Sequence, residues 1–408
     1  MLPGMAVVTS SPLRSSTFRR LAAAYTINEL GNWVADLALA ILVFDHTGSA
    51  LATAALFVSL RFLPGLLGPL LTARVEAVET RSILPALHLL EGLIFGAIAL
   101  YASHFSLPVV LVLGGIDGAL AICAKALTRS ATAALLVSGN QLRRGNAILN
   151  LGFTASGAVG PALAGLLVAA LGPGAALLLD SISFIVVAAI LASTRGLRLH
   201  SDASAGWTGR LRAGLREAGS RPQVRNLLVA QGLALVFFTA VVPIEVVYAK
   251  RTLHAGDAGY GALLAAWGAG MLVGGIAYAA AARVSLLIVL GLSTALIGAA
   301  YAGLAAAPDL TIACAFSAVG GAGNGAQWIA VVTAVQQAVS AAAQSLVMAL
   351  LEAINQIMPG VGFMLGGVAA TLGSPRTAYA IAGGGVLLVL LAVTARVTAE
   401  HARPDRSA

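Results

Sequence analysis

The sequence predicts an all-α membrane protein with 12 transmembrane helices, arranged as two six-helix, pseudo-symmetric halves. The first observation is composition: 59% of the 408 residues are hydrophobic and 10% are charged, against about 25% charged residues in soluble domains. The mean hydropathy is +0.92. So few charged side chains cannot cover a water-soluble core of this size, which excludes a soluble protein.

The second observation is a series of twelve apolar runs, each long enough to cross a bilayer. A spanning helix needs roughly 20 mainly apolar residues. Transmembrane strands would be shorter and would alternate in polarity, so the runs indicate helices. They lie near 22–44, 50–73, 83–102, 108–127, 148–170, 174–194, 226–249, 258–281, 285–306, 308–331, 346–370 and 377–395.

The third observation is the distribution of the 24 lysines and arginines. All but four fall on one side when the N-terminus is placed in the cytoplasm; Arg61 lies inside the second run, and Lys250, Arg251 and Arg376 lie on the other side. Cytoplasmic loops carry the excess of positive charge, so both termini are predicted to be cytoplasmic. The net charge of +8 therefore orients the chain, and no basic stripe with interleaved aromatics indicates nucleic-acid binding.

The longest polar stretch divides the chain into two blocks of six runs. We expect an N-terminal bundle at 1–194, a cytoplasmic linker at 195–225, and a C-terminal bundle with a short tail at 226–408. Within the linker, the piece from Trp207 to Ala218 fits either a basic amphipathic helix on the inner membrane surface or a solvated linker.

The two halves show a weak internal repeat of small residues. Gly160, Pro161 and Gly165 in the fifth run correspond at constant spacing to 362–367 in the eleventh, which contains Gly362 and Gly366. Small residues allow helix backbones to approach closely in lipid. They indicate either ordinary helix packing or a seam on which the halves rock, and paired six-span halves are typical of alternating-access transporters.

Several short motifs occur in order along the whole chain. They are 44–50, 61–64, the Gly160-Pro161 pair, 179–184 and 255–261. With these motifs the chain resembles the major facilitator superfamily, in particular the drug:proton antiporter branch that includes macrolide efflux proteins and siderophore exporters. The resemblance implies the major facilitator fold, in which spans 1, 4, 7 and 10 line a central cavity and spans 3, 6, 9 and 12 stand outside it.

The loop between the second and third runs departs from the superfamily pattern. In 72–81 only the acid Glu76 and the terminal base Arg81 remain of the charged residues that the superfamily carries there. We therefore expect a cytoplasmic gate that is atypical or that closes mainly by packing.

Ionisable residues inside the runs are candidates for function, because a charge near the bilayer centre is expensive. At about 1.5 Å of rise per residue, Asp36, Arg61 and Asp117 lie near the midplane, Glu29 and Glu91 nearer the cytoplasm, and Asp180 and Glu245 nearer the outside. Asp36, Asp117 and Glu29 are the candidate proton-coupling carboxylates, with Arg61 as partner of Asp36 or Asp117. A permanent Asp–Arg pair that locks two helices is the structural alternative.

Polar and aromatic residues on the cavity-lining spans predict a substrate site. A large, mostly apolar pocket suits lipophilic substrates, although a kinked and packed tenth span is the alternative. The predicted pocket residues are Asn28, Asn32, Gln231, Phe238, Asn324, Gln327 and Trp328.

The sequence thus predicts a proton-coupled exporter of amphipathic small molecules in the plasma membrane. It contains no nucleotide-binding loop, zinc signature or nucleophile elbow, so we expect a non-enzyme with no cofactor or metal, working as a monomer with substrate, protons and lipid as partners. The alternatives are an uncoupled or lipid/metabolite transporter of the same fold, or a non-transporting membrane sensor.

Overall fold

The computed structural model describes residues 11–67, 71, 80–136, 141–194, 207–281, 283–339 and 341–401, and these residues form helices and no strand. The N-terminal half contains α1 (Ser16–Thr47), α2 (Ala50–Phe57, continued by a π-helical turn at Val58–Phe62), α3 (Thr80–Leu100), α4 (Leu107–Leu136), α5 (Leu142–Leu171) and α6 (Pro173–Ala192). A linker helix, α7 (Trp207–Ser220), follows. The C-terminal half contains α8 (Pro222–Thr239, extended by shorter turns to Thr252), α9 (Gly256–Ala280), α10 (Leu286–Ala306), α11 (Leu310–Ala338), α12 (Ala341–Leu372) and α13 (Pro375–His401).

The twelve predicted runs correspond to α1–α6 and α8–α13. Among the described residues, eleven of these helices are long and apolar enough to cross a membrane. The exception is α11, which has 29 residues but contains a glycine-rich stretch with Asn324 and Gln327 that lowers its hydropathy.

The described part of the linker forms a helix, while the predicted position of this helix on the inner membrane surface stays a prediction. Helix α7 packs against α12, and its Ala218 shares a buried core with Val224 and Leu351. Arg221 follows α7 and donates to the carbonyl of Ala338 at 3.3 Å. The seventh predicted run begins earlier than expected, at Pro222, because proline is well tolerated in the first turn of a helix.

The halves repeat the same helix contacts. In the first half α1 packs on α5 and α6, and α3 packs on α6; in the second, α8 packs on α12 and α13, and α10 packs on α13. The repeat extends to single residues: Gly160 faces Trp33 of α1, and its counterpart Gly362 faces Thr239 of α8. Both glycines therefore serve packing within their own half.

The next glycines in the repeat lie between the halves. Gly165 of α5 meets Gly261 of α9 backbone to backbone, because any Cβ at Gly165 would contact the Gly261 Cα. Gly367 of α12 faces Ala54 of α2. The helix pairs α5–α9 and α2–α12 thus form the seam between the halves.

The halves share one buried core at one end of the molecule and have separate buried cores at the other. The largest buried core contains residues of both halves, among them Phe44, Leu56, Tyr248 and Tyr260, near the left-handed turn at Gly48. We call this the closed end. At the opposite, open end the buried cores each belong to one half, around Leu21 and Leu84 in the first and Val335 in the second.

Candidate functional site

The Asp36–Arg61 ion pair links α1 to α2. Arg61 lies in the π-helical turn of α2, a local widening that often occurs at functional sites. Its Nη2 donates to Asp36 Oδ2. The Arg61 side chain is 54% exposed and that of Asp36 is 22% exposed. Of the two partners that the sequence left open, the structure pairs Arg61 with Asp36.

Asp117 lies in the interior of the N-terminal half instead of facing an open space. It is within electrostatic range of Glu91 and Asp180, as well as of the Asp36–Arg61 pair. The sequence-based depths separated Glu91 from Asp180, and the structure brings them together. That estimate assumed upright helices of equal depth and could not include the close approach of α6 to its neighbours.

Two glycines allow α6 to approach α1 and α3 closely. Gly31 of α1 has no side chain and leaves the space that the Asp180 carboxylate occupies. Gly92 of α3 lies against the backbone of Ser181, whose hydroxyl donates to the Gly92 carbonyl at 2.6 Å. Helix α6 therefore carries its carboxylate between α1 and α3.

A polar cleft enters the N-terminal half among α1, α3 and α4. Glu29 is buried within it beside the Tyr25 hydroxyl, while Asn32, one turn along α1 from Asn28, is half-buried. Lys125 lies near Glu29 and above the Phe153 ring, 5.5 Å from its centroid. The polar residues of the lining are Tyr25, Asn28, Glu29, His88, Lys125 and Thr128.

The predicted pocket residues of the C-terminal half have differing environments. Gln231 is buried, Gln327 is half-buried, and Trp328 is 41% exposed. Phe238 packs in the interior of its half, with its ring centroid 5.8 Å from that of Trp267 and 6.1 Å from that of Tyr301.

The glycine-rich stretch of α11 serves close packing against α9. Gly321 lies on the backbone of Trp267, and Gly325 lies on that of Met271. Asn324 is held on the same face, with Nδ2 3.7 Å from Met271 Sδ. These contacts agree with the packing alternative for the glycines.

Of the remaining predicted gating residues, Pro161 lies at the seam, where its carbonyl faces Gly261, and Gly366 packs on the Ala240 carbonyl of α8. Glu76 lies outside the described residues. Arg81 belongs to α3, but its side chain lies outside the described part, so a gating role of this loop stays a prediction.

An ion-pair cluster at the closed end was missed by the sequence analysis. Lys250 Nζ lies 2.5 Å from Asp45 Oδ1 of the other half and 2.7 Å from Asp257 Oδ1 of its own half. Arg251 stacks on Phe44, 4.9 Å from its ring centroid. The signal was available, since Asp45 and Asp257 both lie in the motifs quoted above and Lys250 and Arg251 are isolated cations.

A family model described as transmembrane secretion effector, within the major facilitator superfamily, matches residues 7–405. The chain belongs to this family. It is a multi-pass integral membrane protein and a transporter of the major facilitator type. No curated protein sequence matches the chain significantly.

Solved transporter structures share its fold. The nucleoside transporter NupG superposes with a TM-score of 0.77 at 12% identity, covering 93% of this chain and 99% of that one. A bacterial homologue of the human lysosomal transporter Spinster, inward-facing and unoccupied, gives 0.71 at 16% identity, covering 95% and 96%. An inward-facing bacterial homologue of the iron transporter ferroportin gives 0.72 at 14% identity, covering 95% and 99%. Identities this low establish the fold alone.

Proposed function

We propose that this family member is a secondary active exporter of amphipathic small molecules in the plasma membrane, driven by proton antiport through alternating access. The observation that carries the proposal is the Asp36–Arg61 pair. It is a partly exposed ion pair within the helical bundle, on a π-helical turn. Charges at such a position are costly and mark ion or substrate pathways.

The two ends of the molecule support alternating access. At the seam, Gly165 meets Gly261 and Gly367 faces Ala54, and such small residues allow close backbone approach between the halves. We take this seam as the surface on which the halves rock. The cytoplasmic bias of the basic residues assigns the closed end to the outside. On this assignment we interpret the structure as inward-facing, the state in which two of the similar structures were solved.

Proton entry and substrate exit are coupled because the proton and the substrate compete for the ionised Asp36 carboxylate. When the site opens outward, a proton from external water binds the Asp36 carboxylate and removes its charge, which weakens the pair with Arg61. When the site opens inward, the proton returns to cytoplasmic water and the carboxylate is ionised again. Substrate that binds only the ionised form would then move outward as the proton moves inward.

The substrate class follows from the contrast between charged and apolar surfaces. The N-terminal half supplies Asp36 and Arg61, whereas α11 supplies the exposed Trp328 with Gln327 beside it. A site with a few fixed polar groups among apolar and aromatic side chains suits molecules with one polar and one apolar part.

Purified protein in liposomes with an internal pH dye and an imposed proton gradient tests the proposal. The panel contains lipophilic cations, macrolides and siderophore-like compounds. We expect one class to trigger proton flux, and Asp36→Asn to abolish it. The matched control is Asp309→Asn, which removes a carboxylate outside the pair and keeps a side chain that caps α11. Full proton flux in Asp36→Asn would contradict the proposed role of Asp36, and substrate transport without proton flux would contradict antiport.

A further inference from the structure

Four titratable side chains are buried together inside the N-terminal half, outside the Asp36–Arg61 pair. They are His88 and Glu91 of α3, Asp117 of α4 and Asp180 of α6, with exposures of 4%, 1%, 8% and 2%. His88 Nδ1 lies 2.6 Å from Glu91 Oε2. Helices α3 and α6 stand outside the central cavity in the resembled fold, so His88, Glu91 and Asp180 are not explained by direct contact with substrate. Asp117 lies on the cavity-lining α4, but its side chain is buried in the interior of the half.

Each of the three carboxylates has one oxygen without a hydrogen-bond partner in the described part of the chain. These oxygens are Glu91 Oε1, Asp117 Oδ1 and Asp180 Oδ2, and each is shielded from solvent. A buried, unpaired carboxylate anion is strongly disfavoured, whereas the neutral acid is tolerated. The unpartnered oxygens are therefore positions at which a proton can be held.

The charges that face the cluster cannot compensate three anions. Arg61 of α2 is near Asp117, but it is already paired with Asp36 of α1. On α4, Lys125 lies near Glu29 of α1 and near Arg129, at the cleft. Helix α6 contributes the Ser183 hydroxyl, which donates to Asp180 Oδ1 at 3.0 Å. Loss of the proton from one carboxylate therefore disfavours loss of the proton from the others, so the titrations of the three carboxylates are coupled.

The cluster has a polar entrance. His88 lines the cleft that also contains Asn28, Glu29 and Lys125, and the same His88 touches Glu91 through Nδ1. At the other side of the cluster, Asp117 and Asp180 are both within electrostatic range of Asp36. From the cleft to the ion pair, His88 contacts Glu91, and Asp117 follows within electrostatic range of both Glu91 and Asp36.

We propose that His88, Glu91, Asp117 and Asp180 form a proton-binding cluster that exchanges protons through the cleft and is electrostatically coupled to the Asp36–Arg61 pair. This inference deepens the proposed function and rests on it for the use of these protons in transport. Hydronium in the cleft protonates the free ring nitrogen of His88 and leaves water. The imidazolium then passes its Nδ1 proton to Glu91 Oε2, which leaves a neutral acid and a neutral imidazole.

Infrared spectroscopy of the reconstituted, full-length protein tests proton binding without a substrate. The probe is the carbonyl stretch of protonated carboxylic acids, followed as the pH is raised in light and heavy water. We expect the wild type to lose this band reversibly, and Glu91→Gln, Asp117→Asn and Asp180→Asn each to remove one component and shift the titration of the rest. Glu245→Gln is the matched control, a carboxylate of the C-terminal half whose removal leaves these components unchanged.

A second kind of variant, which keeps every acid of the cluster, keeps the test decisive if the substituted cluster does not fold. Gly31→Ala places a Cβ against the Asp180 carboxylate without removing any acid, and we expect it to shift the Asp180 component. A carboxylic-acid band that does not titrate over the pH range in which the protein stays folded would overturn the inference and show permanently neutral, structural acids. If the components removed by the cluster substitutions titrate but the liposome assay detects no proton-driven transport, the proposed antiport fails while the cluster stands. If transport is proton-driven but the band does not titrate, only the cluster fails.

Discussion

The two halves share one helix arrangement but fill their interiors with different chemistry. The N-terminal half buries His88, Glu91, Asp117 and Asp180, and the C-terminal half buries the tyrosines Tyr248, Tyr301 and Tyr379. Their rings contact one another, with centroids 4.7 Å apart for Tyr248 and Tyr379 and 5.8 Å apart for Tyr301 and Tyr379. If the proposed antiport holds, the N-terminal half binds the protons, and the aromatic core of the C-terminal half serves mainly as a packed support.

The two halves also differ in whether their buried polar atoms have hydrogen-bond partners. Tyr248 donates to the Leu304 carbonyl at 2.6 Å and Tyr301 to the Phe238 carbonyl at 3.0 Å, so these two aromatic side chains are satisfied. The carboxylates of the other half keep unpartnered oxygens. A fully hydrogen-bonded set of buried side chains stabilises one conformation of the core. Carboxylates with unpartnered oxygens can still bind and release protons.

The largest effect is expected from breaking the aromatic core. Tyr301→Ala should lower the free energy of unfolding by about 3–5 kcal/mol, because it leaves a cavity among Trp267, Phe238 and Tyr379. Tyr301→Phe, which removes only the hydroxyl, should cost about 1 kcal/mol. Denaturation in detergent measures both. These separate roles of the halves require that Tyr301→Phe leave the pH titration of the carboxylic-acid band unchanged, and a shift would contradict them.

The seam offers a test in which the halves should behave alike. Gly165→Leu and Gly367→Leu both push a side chain into the opposite half, which should cost about 1–3 kcal/mol at the closed end and lower transport about tenfold. Initial transport rates in liposomes measure this effect. Gly291→Leu is the control, since a Cβ at Gly291 meets nothing within 4 Å. Unchanged transport in both seam variants would show that the seam does not limit the cycle.

A smaller effect is expected at the ion pairs of the closed end. Lys250→Ala should destabilise closure by about 1 kcal/mol, because partly exposed ion pairs contribute little. The ratio of closed to open molecules should fall about fivefold, and added salt should reduce the difference from the wild type. Single-molecule fluorescence between labels on the two halves measures the populations. An equal closed population in variant and wild type at low salt would show that Lys250 does not stabilise closure.

Much of the fold was predictable because bilayer thickness dictates the length of the helices. The repeat of Gly160 and Gly165 also predicted equivalent contacts, although only Gly165 lies at the seam. The partner of Arg61 could not be chosen from sequence, since Asp36 and Asp117 have similar depths. The approach of Asp180 to Glu91 depends on the space at Gly31. Counting residues along each helix gives the depth of a side chain but not which helices pack closely, so the sequence could not predict this approach.

The most direct test of the central claim is the pH dependence of the distance across the closed end. Spin labels at Ser103 and Pro308, both exposed at that end, report it by pulsed electron resonance after Cys123 and Cys314 are replaced by alanine. The carboxylates of the proposed cluster are buried in this conformation, where an unpaired anion is disfavoured. If the cluster binds protons as proposed, losing them at higher pH should favour a conformation in which these side chains are better solvated. We therefore predict that the wild-type distance lengthens as the pH rises and that Asp117→Asn holds the closed distance at high pH. A wild-type distance that does not change with pH, or an Asp117→Asn variant that responds like the wild type, would contradict the account.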